Sequence, residues 1–224
     1  MYCTHTYNTM HPLTLRLKTA KKKISFAGMI GITTFIKKKL MQNIKYVPPK
    51  EARIKCKGKQ NGAKTCKKGL FLGRKLDKAL QDYVEKGTKN IRIAPVLRRL
   101  RSNGLTVIAV QIPVRCKMLK IKTFIDALAI NSTGDVYVVE LKNTQMTIKQ
   151  HENSYMLSAL RNSHLTNGLK NSEFNRHGLQ AYFGVMGMKE CYSIETKPLV
   201  IINCSNGVRL QRFENQQFHC GHFN

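Results

Sequence analysis

The sequence predicts an α/β fold, a mixed sheet flanked by helices, and three observations carry that expectation. The first is a change of pattern at Gly69, where a basic stretch rich in Lys and Gly gives way to segments of helical period. The second is a pair of apolar, β-branched runs, 120–130 and 136–142, joined by the turn-forming Asn131-Ser-Thr-Gly-Asp135. The third is the order of the C-terminal third: two helical stretches, then the buried-type run Pro198–Asn203 and a partner at Val208–Phe213. A chain of 224 residues with this order fits one substantial domain with an extension.

Taken in order, Leu72, Leu76, Ala79, Leu80, Tyr83 and Val84 recur at helical spacing and stop at Gly87, which predicts a helix over 73–86. A shorter helix is expected over 94–102, stopped at Asn103-Gly104, and a strand over Leu105–Val114, with Pro113 favouring the strand's end or a sheet edge. The hairpin comes next. Helices are expected around 146–160 and 174–187, with polar, irregular Ser163–Ser172 between them. The last two strands turn across Ser205-Asn-Gly207. No internal repeat is present.

The formal charge of +27 is unevenly spread. Residues 1–75 hold 19 Lys/Arg against one acid, Glu51, a net of +18 that leaves +9 for the rest. Residues 1–68 are therefore expected to be a basic, weakly ordered N-terminal region, and 69–224 the folded domain. Such a field concentrates polyanions, nucleic acid first and an anionic membrane surface second. The apolar run Ile24–Ile36 lies between Lys21–Lys23 and Lys37–Lys39. It is too short to span a bilayer. It reads equally as the core of a targeting segment or as part of a basic arm. Gly58-Lys-Gln-Asn-Gly-Ala-Lys-Thr65 has the wrong spacing for a phosphate-binding loop.

Seven cysteines at 3, 56, 66, 116, 191, 204 and 220, scattered and without a CxxC, fit free thiols in a reducing, intracellular compartment. His219-Cys-Gly-His222 with Cys204 could ligate zinc, but its spacing matches no common zinc module.

The hairpin carries the chemistry. A turn centred on Thr133 puts Asp126 opposite Glu140, and Lys142 on the same face as Glu140. The other face is then Ile125, Ala127, Ala129, Tyr137, Val139 and Leu141, an apolar set suited to a core. Two carboxylates can hold a Mg²⁺ ion that keeps several waters. Lys142 would orient a water or stabilise charge on a phosphate. The bland alternative is a surface hairpin in which Lys142 merely pairs with Glu140. His151, His164 and His177 could assist this chemistry, but they read more readily as exposed or phosphate-contacting histidines.

Ile125-Asp126 followed by Val138-Val139-Glu140-Leu141-Lys142 resembles the core motif of the PD-(D/E)XK nuclease superfamily. Gly73-Arg-Lys-Leu-Asp77-Lys-Ala-Leu-Gln81-Asp-Tyr83 resembles the first helix of its branch containing phage lambda-type exonuclease and the mitochondrial genome maintenance exonuclease. Asn175-Arg-His-Gly-Leu-Gln180-Ala-Tyr182-Phe-Gly resembles that branch's later helix. The resemblance covers about residues 69–205. It implies a restriction-endonuclease-like αβββαβ core with Asp126, Glu140 and Lys142 as catalytic residues and Gln180 as their polar support. It also implies Mg²⁺ (or Mn²⁺ in its place) on Asp126 and Glu140, with Asp77 and Tyr182 as accessory residues. Gln81 and Gln111 depart from the pattern, standing where acids are common in the family.

The implied function is a metal-dependent deoxyribonuclease, an exonuclease or end-processing enzyme of DNA replication, recombination or repair. DNA is the expected partner, contacted at its phosphates by Arg74, Lys149 and Arg176, with no small-molecule cofactor and no membrane. The nucleus, a mitochondrion or a virus-infected host cell would all suit it. The alternative is a non-catalytic basic nucleic-acid-binding protein on a degenerate nuclease fold.

Overall fold

A computed structural model describes residues 12–13, 17, 24–36, 59–156 and 173–213. In chain order these contain β1 (Ile30–Gly31), α1 (Ile32–Phe35), α2 (Lys59–Lys86), α3 (Ala94–Arg101), β2 (Thr106–Cys116), β3 (Ile121–Ile130) and β4 (Val136–Asn143). They are followed by α4 (Ile148–Met156), α5 (Glu173–Tyr192), β5 (Lys197–Cys204) and β6 (Gly207–Arg212). The expected α/β class is present as a mixed six-stranded sheet with helices on both faces.

Local chemistry sets most of the boundaries. α2 ends where Gly87 adopts φ +69°, and α3 starts with Pro95 in its first turn. The β3–β4 turn is held by Asn131, whose side-chain oxygen accepts from the Thr133 and Asp135 backbone N–H groups at 3.1 and 2.8 Å. Pro113 is tolerated because β2 pairs only with β3, so its far side forms no ladder among the described residues.

Residues 24–36 fall in the segment expected to be weakly ordered, yet they form β1 and α1. Ile32, Phe35 and Ile36 enter the core. α2 starts at Lys59, so the boundary drawn at 68/69 falls inside a helix. Leu17 is buried in the same layer, and apart from residues 12–13 and 17 the rest of 1–68, together with 163–172 and 219–222, lies outside the described residues.

Two apolar layers enclose the sheet. One joins α1 and α5 to Ile112, Val114, Ile121, Leu128, Val138, Val200 and Ile202. The other joins Leu76, Ala79 and Leu80 of α2, and Val96 and Leu100 of α3, to Ala127, Ala129, Tyr137, Val139 and Leu141. Ile125 was expected with this second set. It packs instead in the first layer with Leu128 and Val138, so alternation along β3 slips by one at Asp126. The partner strand slips too: Ala109, Ile112 and Val114 share a layer while Val110 faces the other. Gln111, at φ +50°, is the residue that absorbs the slip. The kink therefore falls across β2 and β3 at the level of Asp126.

α5 lies close on the sheet because Gly184 and Gly187 face it. A Cβ at Gly184 would come within 2.8 Å of Val138 Cγ1, and one at Gly187 within 2.6 Å of Val114 Cβ. Neither Val atom is the tip of a flexible chain, so the helix itself must move. Gly187→Ala is therefore expected to destabilise the fold by about 1–3 kcal/mol, read as a lowered thermal midpoint. An unchanged midpoint would show that this packing can relax.

Candidate active site

The site arises where β3 and β4 part. Their regular register runs from Ile130↔Val136 to Ala127↔Val139, and its continuation would pair Asp126 with Glu140, as the hairpin pattern predicts. The ladder stops one pair short. There the Asp126 side chain takes over, its Oδ2 accepting from the Leu141 backbone N–H at 2.8 Å. β4 runs on beside β5, from Tyr137↔Lys197 to Asn143↔Asn203. β2 occupies one edge of β3 throughout, so parallel β1 must take the edge that β4 has left, with Ile30↔Ile121 and Gly31↔Lys122. A fork results, with Asp126 on one arm and Glu140 and Lys142 on the other.

Glu140 is buried, and Lys142, half-buried, forms a close ion pair with it. Burial first, then Asp126, pushes the Glu140 carboxyl up to about 7, against the pull of Lys142. Burial raises Asp126 as well, while Lys142 and the Leu141 N–H act against that rise. Burial alone would lower Lys142, but Glu140 and Asp126 hold its ammonium above the usual value. Excess negative charge is the defining electrostatic feature of the fork.

Asp77 joins them from α2. Burial and the neighbouring Asp126 raise its carboxyl to about 6, and Lys142 opposes that shift. Leu76, Ala79 and Leu80 fix the helix on the sheet and so point Asp77 this way. Gln81, one turn on, lies 3.1–3.2 Å from both oxygens of Glu85.

From the opposite side, α5 brings His177 and Gln180. Gln180 Oε1 lies 3.2 Å from His177 Nδ1, and its Nε2 donates to Thr33 Oγ1 at 3.1 Å. Burial and nearby Lys142 drive His177 down to about 3, so it is neutral. Gln180 thus ties α5 to the segment that bears β1. Neither Thr33 nor His177 was placed in this role from sequence. The signals were there: Ile32, Phe35 and Ile36 share one helical face, and His177 and Gln180 are three apart on another.

The remaining expected residues scatter. Tyr182 packs edge-on to Phe183 with ring centres 6.2 Å apart. Arg74 and Lys149 are exposed on α2 and α4, and Arg176 is half-buried on α5. His151 was expected to be exposed or phosphate-contacting but is buried, its ring edge-on to Phe174 at 6.4 Å. Burial, and then the charge of Arg209, lower its pKa and disfavour a charged, phosphate-binding form. His164 lies outside the described residues. Among the described residues no helix is long and apolar enough to cross a membrane.

The donor chemistry suits a hard divalent cation. Asp126 and Glu140 offer oxygen ligands and repel each other until a cation joins them. No three His, Cys, Asp or Glu side chains form a ready metal cage among the described residues.

The shifted carboxyls make a stability prediction. In its raised state Asp77 holds its proton in the fold up to about 6, whereas the unfolded chain releases it near 3.8. Its stabilising share is full below 3.8 and is lost as pH rises through about 6. Glu140 extends the same trend from 4.5 to about 7. His177 acts oppositely, its share present above 6.5 and lost as pH falls toward 3. In EDTA, Asp77→Asn is expected to raise the thermal midpoint by about 2–4 °C at neutral pH. The gain should vanish near pH 4. A gain independent of pH would sink this account of Asp77.

No protein-family model and no curated protein sequence matches this chain.

Proposed function

We propose that this protein is a metal-dependent DNA nuclease that hydrolyses phosphodiester bonds at or near DNA ends. The observation that carries the reading is the fork: Asp126 capping Leu141 where β3 leaves β4, with the Glu140–Lys142 pair directly across it. The run of α2, then three antiparallel strands, then α5 and parallel β5 agrees with an αβββαβ restriction-endonuclease-like core. α3 and α4 are additional to that core.

Asp126 and Glu140 would hold Mg²⁺, with Asp77 within electrostatic reach. The ion would supply Lewis acidity toward the phosphoryl group and a more acidic water. Lys142, charged and anchored by Glu140, would stabilise negative charge developing on the phosphate. His177 stays neutral and leaves that charge to Lys142. Gln180, bonded to Thr33, holds α5 and the N-terminal segment in fixed relation around the fork. Exposed cations such as Arg74 and Lys149 would position the backbone without reading sequence.

The test is digestion of end-labelled linear DNA with Mg²⁺, comparing the parent chain with Asp126→Ala and Lys142→Ala. Hydrolysis by the parent and its loss in both variants supports the reading. Equal activity in all three refutes it, and tight, salt-dependent binding with no turnover points to a purely binding protein.

A further inference from the structure

We infer that exposed Phe124, with half-buried Phe26 against it, forms a platform beside the fork on which the bases of a single-stranded nucleic acid stack. The inference rests on the nuclease reading and names the form of substrate that the site receives. Phe124 is 54% exposed although it sits within a strand whose neighbours Ile121 and Ile125 are buried. Strand alternation puts Phe124 and Lys122 on the sheet face opposite those two, the side on which α2 lies. Phe26 meets Phe124 edge-on, with centroids 5.8 Å apart, and the Lys122 ammonium stands 5.6 Å from the Phe26 centroid. An edge-on pair leaves ring face open to a third planar group.

Charge selects the occupant. Between Arg115 and Ile125 lie Arg115, Lys117, Lys120 and Lys122, with no acid. Glu190 approaches Arg115 at 3.9 Å and accepts from the Lys117 backbone N–H, whereas Lys122 is the cation set against the aromatic pair. Open rings among cations are the combination that binds single strands: phosphates meet the ammonium groups and bases meet the rings. A duplex keeps its base faces covered by one another, so it gains nothing from the rings. Phe124 is two residues from Asp126, roughly 7 Å along the strand, so a stacked base would hand its phosphate to the fork.

A second aromatic repeats the arrangement. Phe71 on α2 is 56% exposed, with the Lys75 ammonium 4.2 Å from its ring centre. It precedes Asp77 by six residues, roughly 9 Å of helix.

The test measures binding in EDTA, where no hydrolysis is required, by fluorescence anisotropy of labelled strands. The probes are oligothymidine, an abasic strand of equal length and a blunt duplex, with the parent chain, Phe124→Ala and Phe124→Tyr. Phe124→Ala is expected to weaken oligothymidine about 10-fold while leaving the abasic strand and duplex nearly unchanged, and Phe124→Tyr to retain binding. Because Phe124 is largely exposed, the variants should keep the parent's thermal midpoint, which is checked alongside. Equal weakening on the abasic strand overturns the platform, as does unchanged oligothymidine binding. A Phe124 dependence confined to phosphatidylserine vesicles or polyglutamate, with strand binding intact, also overturns it. The base-dependent loss in a protein that proves unable to cleave DNA would keep the platform and remove the nuclease reading.

Discussion

Asp126→Asn is expected to reduce Mg²⁺-dependent hydrolysis by about 10³-fold or more while making the metal-free protein harder to melt. In the proposed nuclease, the activity loss comes from removing one of the two anionic ligands of the fork, a deletion costing several kcal/mol of transition-state stabilisation. The stability gain comes from the same charge. Asp126 raises both Glu140 and Asp77, so its neutral isostere relieves repulsion at two sites. Asparagine is the informative choice because its side-chain oxygen can still accept from the Leu141 N–H. Asp126→Ala would leave that buried donor unmet and mask the gain by about 1–3 kcal/mol. Added Mg²⁺ should raise the parent's midpoint and leave the variant's almost unmoved. A variant that cleaves normally, or one that melts lower in EDTA with intact packing, would contradict the charge balance described for the fork.

Lys142→Ala is expected to be inactive for a different reason, and less stable. The lysine is the only cation that the described fork sets against three carboxyls, and truncating one member of a buried pair costs about 3 kcal/mol. Glu140 and Asp126 would then retain protons to still higher pH. The folded values move further above the unfolded ones, so the deficit should be largest near pH 8 and shrink toward pH 5. Thermal melts of parent and variant across that range in EDTA measure it. Lys142→Arg should recover much of the stability, since charge is kept. It should recover little activity, since a guanidinium reaches a phosphate with different geometry. A pH-independent deficit would mean that Lys142 matters for packing alone.

Much of this was legible because the signals were local. The end of α2 at Gly87, the hairpin register about Thr133 and the β5–β6 turn are all set by residues within a few positions of each other. The approach of Asp126 to Glu140 was legible for the same reason, both being carried by one hairpin. What escaped depends on distant contacts. β1 is two residues long and has no period to detect; only its pairing with Ile121 and Lys122 makes it a strand. The slip at Asp126 broke an assumption of unbroken alternation, and nothing in Gln111 as a residue type announces a left-handed backbone. His151 looked solvent-facing in a polar stretch, but Phe174, far along the chain, covers it. The start of α2 at Lys59 lies in a Lys- and Gly-rich run that offers no amphipathic pattern.

The parallel seating of β1 beside β3 has a consequence in time. Ile30 cannot find Ile121 until the ribosome has released some ninety further residues, and Ser25 waits equally long for Arg115, 90 positions away. Contacts of that sequence separation close late, after local helices and the hairpin have formed. The carboxylates would thus be assembled before the strand that borders their cleft arrives. Until it docks, the newborn chain presents an open strand edge beside the fork, so β1 both fastens the fork and covers that adhesive edge.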